Sequence, residues 1–121
     1  MAFRGDTIEN GLLNAGADLR LNMYRCVVTS AGRWALAGAN ARSVGVLQNE
    51  PNTDETAEVD EAGVTMAAAG AAFLVDALLT TDATGRLVTS VGGNHIVAQA
   101  IEAASGAGSV VSVRLGYKGT A

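Results

Sequence analysis

The chain of 121 residues is poor in the side chains that build catalytic and metal sites. It holds one cysteine (Cys26), one histidine (His95), one lysine (Lys118) and one proline (Pro51). A single cysteine excludes an internal disulfide. Its place between Arg25 and Val27 in an apolar stretch reads as a small buried hydrophobe. One Cys and one His are too few for a zinc centre. A Ser–His–Asp arrangement would have to use His95, which follows Gly93-Asn94 at the start of a strand-like stretch and fits a structural hydrogen-bonding role better. The phosphate-cradling GxGxxG and GxxxxGK patterns, the GxSxG elbow and the HExxH helix are all missing. The five aromatics, Phe3, Tyr24, Trp34, Phe73 and Tyr117, are few for stacking bases or sugars. The net charge of −4 leaves no basic excess, which disfavours a general nucleic-acid binder. The longest apolar run, Val64 to Val75, is mostly alanine and stops at Asp76, short of the roughly 18 residues of a membrane span. The N-terminal residues lack the basic and apolar regions of a secretory signal. The expectation is a soluble protein without enzyme activity, cofactor or metal, and without nucleic-acid or membrane partners.

What the chain does have is glycine, 15 residues of it, between short alternating stretches. The length fits one domain. Strands are expected at Asp18–Val28, Arg33–Ala37, Ser43–Gln48, Thr56–Asp60, Val64–Ala68, Arg86–Val91, His95–Ala103 and Ser109–Leu115. Turns are expected at Ser30–Gly32, Gly38–Asn40, Asn49–Asn52, Glu61–Gly63, Asp82–Gly85, Gly92–Asn94 and Ser105–Gly108. Gly45, inside a strand, marks a bulge or a close packing contact. Met66–Leu79 is the one segment with helix-forming composition; Gly70 interrupts it, and extended or irregular chain is favoured over a short helix. Strands at this spacing with glycine turns point to a mainly β fold, a small barrel or sandwich. Residues 1–17 carry Gly5, Gly11 and Gly16 and show no such alternation. They read as an arm that adds little to the fold, the alternative being that Ile8, Leu12 and Leu13 pack back onto the barrel or a neighbouring copy.

Charge is uneven along the chain. Residues 1–42 carry a balance of +2 and residues 43–121 a balance of −6, with Glu50, Asp54, Glu55, Glu58, Asp60 and Glu61 in one short segment. A solvated surface is the plain reading. The sharper one is that opposite ends of the molecule meet different partners, or each other. The acidic segment lacks the DxDxDG spacing of a calcium loop.

Order and spacing over residues 44–115 carry a resemblance. VGVLQNEP is followed by ETAEVDEAG, VTMAAAG, DALLTTDATGR and VGGNHIVAQAIEAASGAGSVVSVRL. This series resembles the phage capsid decoration, or cement, proteins. The matching positions are Gly45, Val46, Gln48 and Asn49, then Gly63, then Asp82, Gly85 and Arg86, then Ile96–Ala104, Gly108 and Val110–Leu115. Val75 departs from the pattern, where a glycine is favoured. The resemblance implies a small β-barrel or β-sandwich-like domain (β-tulip type), residues 19–121, preceded by an extended N-terminal arm, residues 1–18. It implies a structural virion protein on the outer capsid surface, made in the host cytoplasm. Such a protein bridges major capsid protein subunits and stabilises the head, as a homo-oligomer with a trimer favoured. On that reading Arg4, Ile8, Leu12, Leu13 and Arg20 are the capsid-contact residues of the arm, the arginines pairing with capsid carboxylates and the apolar side chains acting as anchors. The alternatives are a small ligand- or carbohydrate-binding barrel, or another phage head or tail component.

Overall fold

A computed structural model describes residues 7–9, 13–43, 45–116 and 118–120. Among them the regular structure is all β: β1 (Thr7–Glu9), β2 (Cys26–Ser30), β3 (Arg33–Leu36), β4 (Gly45–Leu47), β5 (Val59–Ala68), β6 (Leu78–Thr81), β7 (Leu87–Thr89), β8 (Ala98–Ala100) and β9 (Val110–Leu115). The strands form one antiparallel sheet in the order β3-β2-β4-β5-β9-β8-β6-β7, with β1 paired onto β5. The sheet is curled into a half-barrel, as the alternation and glycine turns led one to expect.

Period-2 alternation explains where the core sits. Cys26 and Val46 pair across β2 and β4 and join a cluster with Ala67, Phe73, Leu79, Leu87, Val97, Val113 and Leu115. Their neighbours Val27 and Leu47 point to the opposite face, into a second cluster with Trp34, Val59, Ala57, Ala15 and Leu19. β4 and the start of β2 are therefore buried on both faces. The first cluster fills the hollow of the curled sheet; the second is covered by chain from the N-terminal segment.

The curl is held by a turn that docks across the sheet. The β6–β7 hairpin turn packs on the end of β2, where the Cys26 N–H donates to the Gly85 carbonyl at 2.7 Å and the Asn40 N–H to the Thr81 carbonyl at 2.8 Å. The Thr81 hydroxyl donates to the Gly38 carbonyl at 2.7 Å. Asp82 shapes the turn: its Oδ1 accepts from the N–H groups of Thr84 and Arg86, both at 2.9 Å, and from the Thr84 hydroxyl at 3.0 Å. Burial pushes the Asp82 carboxyl up, but these donors and the Arg86 charge outweigh it and hold it below the usual carboxylate range. Gly85 has φ 77°, a left-handed conformation that glycine adopts without a Cβ clash.

Several boundaries differ from the sequence expectation. Asp18–Arg25 is loop, with Tyr24 at φ 69°, and the strand starts only at Cys26; the apolar spacing of Leu19 and Met23 reflects one buried leucine in a loop. Glu61-Ala62-Gly63 is not a hairpin turn: β5 runs unbroken through it. Gly63 pairs with Leu115 on β9 and with Thr7 on β1, so its φ of 89° irregularises a strand and does not reverse it. Asp60, expected on the solvated face with Glu58, is fully buried and accepts from the Thr65 hydroxyl. Of His95–Ala103 only Ala98–Ala100 is strand. Met66–Leu79 is the tail of β5 followed by irregular chain, in line with the favoured reading. The turns at Ala31–Gly32, Asp82–Gly85 and Gly92–Asn94 stand where glycine placed them.

Cys26 is 1% exposed. Burial pushes its thiol up to about 12, the nearby Asp82 charge adds to this and a hydrogen bond with Ser43 opposes it. The nucleophile of thiol chemistry is the thiolate. At pH 8 the folded protein is expected to show no labelling by iodoacetamide over hours, and full labelling in denaturant. Mass spectrometry reads the difference.

Candidate functional site

The residues assigned to the arm fall into three situations. Arg4 and Leu12 lie outside the described residues. Ile8 sits in β1, whose backbone pairs with β5 through Thr7–Gly63, Ile8–Ala62 and Glu9–Asp60, with a register shift between Ile8 and Glu9. Leu13 is half-buried and packs against the second core cluster. Arg20 is exposed in the loop before β2, with its Nε 2.9 Å from Asp18 Oδ1 and its terminal nitrogen 2.8 Å from Asp18 Oδ2.

That two-bond fork has a pH consequence. Hydrogen bonds from the Arg20 side chain and from its backbone N–H hold the Asp18 carboxyl down at about 2. A depressed carboxylate contributes stability that is present above its ordinary value near 3.8 and is lost as pH falls through about 2. A carboxyl-detected NMR titration is expected to find Asp18 ionised at pH 3, and Arg20→Gln is expected to return it toward the ordinary range.

The expectation that residues 1–17 add little to the fold does not hold for residues 13–17. The Ala15 N–H donates to the Glu55 carbonyl at 2.9 Å, the Gly16 N–H to the Trp34 carbonyl at 2.8 Å and the Trp34 N–H to the Asn14 carbonyl at 3.0 Å. This segment runs parallel to the outer edge of β3 at Ala15–Trp34 and bridges Thr56 at Asn14. It satisfies the backbone groups that an edge strand leaves open. Ala15 is completely buried. The packing-back alternative describes Leu13 and its neighbours.

The basic and acidic segments are also not at opposite ends. Arg33 forms an ion pair with Asp54, and the loop at Asp54–Ala57 carries the partners of residues 13–15. Glu50, Asp54, Glu55 and Glu58 are exposed while Asp60 is buried and Glu61 half-buried, so the acidic run is split by the strand. Among the described residues no group of three or more His, Cys, Asp or Glu side chains is arranged to hold a metal. A cavity of about 250 Å3 lies beside Cys26, with Arg42 and Glu61 among its polar lining and Val46, Val97 and Leu115 among its apolar lining. The His95 backbone N–H donates to Asn40 Oδ1 at 2.7 Å, which ties the residue to the chain around the curl.

Reading the sequence passed over the exposed apolar side chains. Leu21 is 91% exposed, Leu74 78% and Val91 66%; Val75, Leu78 and Val110 are also exposed. The available signal was GAAFLVDALL itself, an apolar run with neither helical nor strand periodicity.

The described residues form one curled antiparallel sheet. The sequence model of the phage cement protein family matches residues 15–115, and the chain belongs to that family. It is a structural protein of the phage head. Among solved structures, the head fiber gp8.5 N base of bacteriophage phi29 shares the fold, with a TM-score of 0.71 and 19% identity over 92% of this chain and 93% of that chain. No curated protein matches the sequence.

Proposed function

We propose that the protein binds the outer surface of the phage head where major capsid protein subunits meet, and reinforces the shell without catalysis. The observation that carries this reading is the family match across residues 15–115, which spans the whole curled sheet from β2 to β9. A body buried on both faces of β4 and the start of β2 and tied across its curl is stiff. A stiff body bridging two subunits resists their separation, and many copies on one lattice add their resistance although each contact is weak. The N-terminal arm supplies the first contacts, with Arg4, and Arg20 just beyond it, toward capsid carboxylates and Ile8 and Leu12 as apolar anchors, while Leu13 stays packed on the core. Arg20 reaches the shell by exchanging Asp18 for a capsid carboxylate, a swap of one exposed ion pair for another that costs little in water.

The test is to add purified protein to heads lacking it, then measure occupancy by electron microscopy and rupture by heating. The reading requires ordered extra density on the outer surface and a higher rupture temperature. Absent binding, or density only inside the shell, overturns it.

A further inference from the structure

We propose that the cavity beside Cys26 receives a peptide segment of a partner protein, with one aliphatic side chain of leucine size filling it and the adjoining amide group held between Arg42 and Glu61. The cavity lies where the pairing along one edge of β5 passes from one strand to the next. β5 pairs with β4 through Val46–Asp60 and Leu47–Val59, and with β9 from Gly63–Leu115 onward. β1 pairs with both Asp60 and Gly63, so β4 and β9 share the opposite edge of β5. Glu61 and Ala62 fall in the gap between them. Gly45 begins β4 and Gly116 follows β9. Antiparallel register carries both glycines to this gap, and both line the cavity together with Glu61.

The cavity is preformed. The Ser43 hydroxyl donates to the Val27 carbonyl at 2.9 Å and lies 3.1 Å from the Gly45 carbonyl, which fixes one lip. The Gly116 N–H donates to the Val97 carbonyl at 3.2 Å and the Lys118 N–H to the Ile96 carbonyl at 2.8 Å, which fixes the other. Walls already held in place lose little freedom when a guest enters. The apolar floor is Cys26, Val46, Val97 and Leu115, all members of the first core cluster. The volume is about 250 Å3. An apolar cavity of roughly 150 Å3 already takes a benzene-sized guest, so an isobutyl group fits.

The rim selects the chemistry. Arg42 is exposed and Glu61 half-buried, one cation and one anion at the same opening. A carboxylate guest meets repulsion from Glu61 and an ammonium guest meets it from Arg42. The described lining offers no aromatic face for a sugar. A peptide amide suits both charges, because its carbonyl accepts from the guanidinium and its N–H donates to the carboxylate, and hydrogen bonds to ionised groups are the stronger kind. The guanidinium has five N–H donors, so Arg42 engages a carbonyl while keeping the bonds it makes within the protein. This site is separate from the arm and is measured without heads, so it stands or falls independently of head binding.

The experiment is a methyl NMR titration of the full chain with N-acetyl-leucinamide, compared with N-acetyl-glycinamide and hexanoate, with melting curves on every variant. Leucinamide is expected to shift the methyl signals of Val46, Val97 and Leu115. Glycinamide is expected to bind at least about tenfold more weakly for want of the buried side chain, and hexanoate more weakly for want of a donor to Glu61. Arg42→Ala and Glu61→Ala are each expected to weaken leucinamide binding severalfold while melting within a few degrees of wild type. Cys26→Met, which fills the floor, is expected to abolish it; should that variant unfold, the rim variants and the glycinamide comparison decide. No shift at these methyls up to the solubility limit overturns the proposal. So does glycinamide or hexanoate binding as tightly as leucinamide, or a folded rim or floor variant that binds leucinamide like wild type.

Discussion

Gly45→Ala is expected to lower the melting temperature by about 10 °C, from a loss of roughly 2–3 kcal/mol typical of forcing a methyl into a packed interior. Gly45 opens β4, where its residue pairs with Val27 on β2. A Cβ there would overlap the Val59 side chain and stand 2.7 Å from the Asp60 carbonyl oxygen. The valine can rotate, but the carbonyl belongs to β5, which pairs with β4 on this side and β9 further along. It can yield only if the sheet shifts. Gly92→Ala is the control, because a Cβ at that position meets nothing within 4 Å and no left-handed φ is required. Thermal melts of the two variants beside wild type decide it. A Gly45→Ala protein that melts with the control would mean that β4 and β5 separate easily at this point.

This glycine shows what was legible in the sequence. A glycine between Ser43 and Val46, inside alternating apolar residues, announces a close approach of backbones before any fold is known. Gly85 was legible likewise, since Asp82-Ala83-Thr84-Gly85 spells an aspartate-led turn. What could not be read was what the turn touches. A Cβ on Gly85 would stand 2.7 Å from Leu36 and 3.0 Å from the Cys26 carbonyl oxygen, two strands at the far end of the sheet order. Turn chemistry is local and survives in sequence. The docking that curls the sheet joins residues about sixty positions apart and leaves no local trace.

The same limit explains the two strand errors. Glu61-Ala62-Gly63 has turn composition, but two neighbouring strands claim its backbone, β1 at Ala62 and Gly63 and β9 at Gly63. Tertiary pairing outweighed local preference there. Asp18–Arg25 alternates like a strand, yet only Leu19 is buried among its apolar side chains and Leu21 is almost fully exposed. Alternation reports a strand only when a neighbouring strand offers it a ladder. For the functional surface the sequence was informative about class and silent about place. The paucity of catalytic side chains and the order of motifs led to a phage head protein, whereas the exposure of Leu74 and Val75 depends on how an aperiodic loop is pinned to β8.

Removal of residues 2–16 is expected to destabilise the domain by several kcal/mol, leaving it largely unfolded at 37 °C or melting more than 10 °C lower. The deletion takes away β1 and the backbone partners of Trp34, Asp54, Glu55 and Ala57. Each lost backbone bond is worth about 0.5–1.5 kcal/mol net, against a total stability of about 5–15 kcal/mol for a domain. It also removes Ala15 from beside Trp34, which is completely buried. Exposing part of that indole to water adds to the loss. Such a variant cannot report on capsid attachment, because failure to decorate heads would follow from unfolding alone. Charge reversal separates the two effects. Arg4→Glu with Arg20→Glu keeps every residue of the edge segment and gives up, among the described residues, one exposed ion pair, worth about 0–1 kcal/mol. It is therefore expected to melt within a few degrees of wild type while head occupancy falls severalfold, most at low ionic strength where surface charges are least screened. Full occupancy by this folded variant would remove the two arginines from the contact. Near-normal melting of the deletion would show that the buried segment at Ala15 is dispensable to the sheet edge it covers.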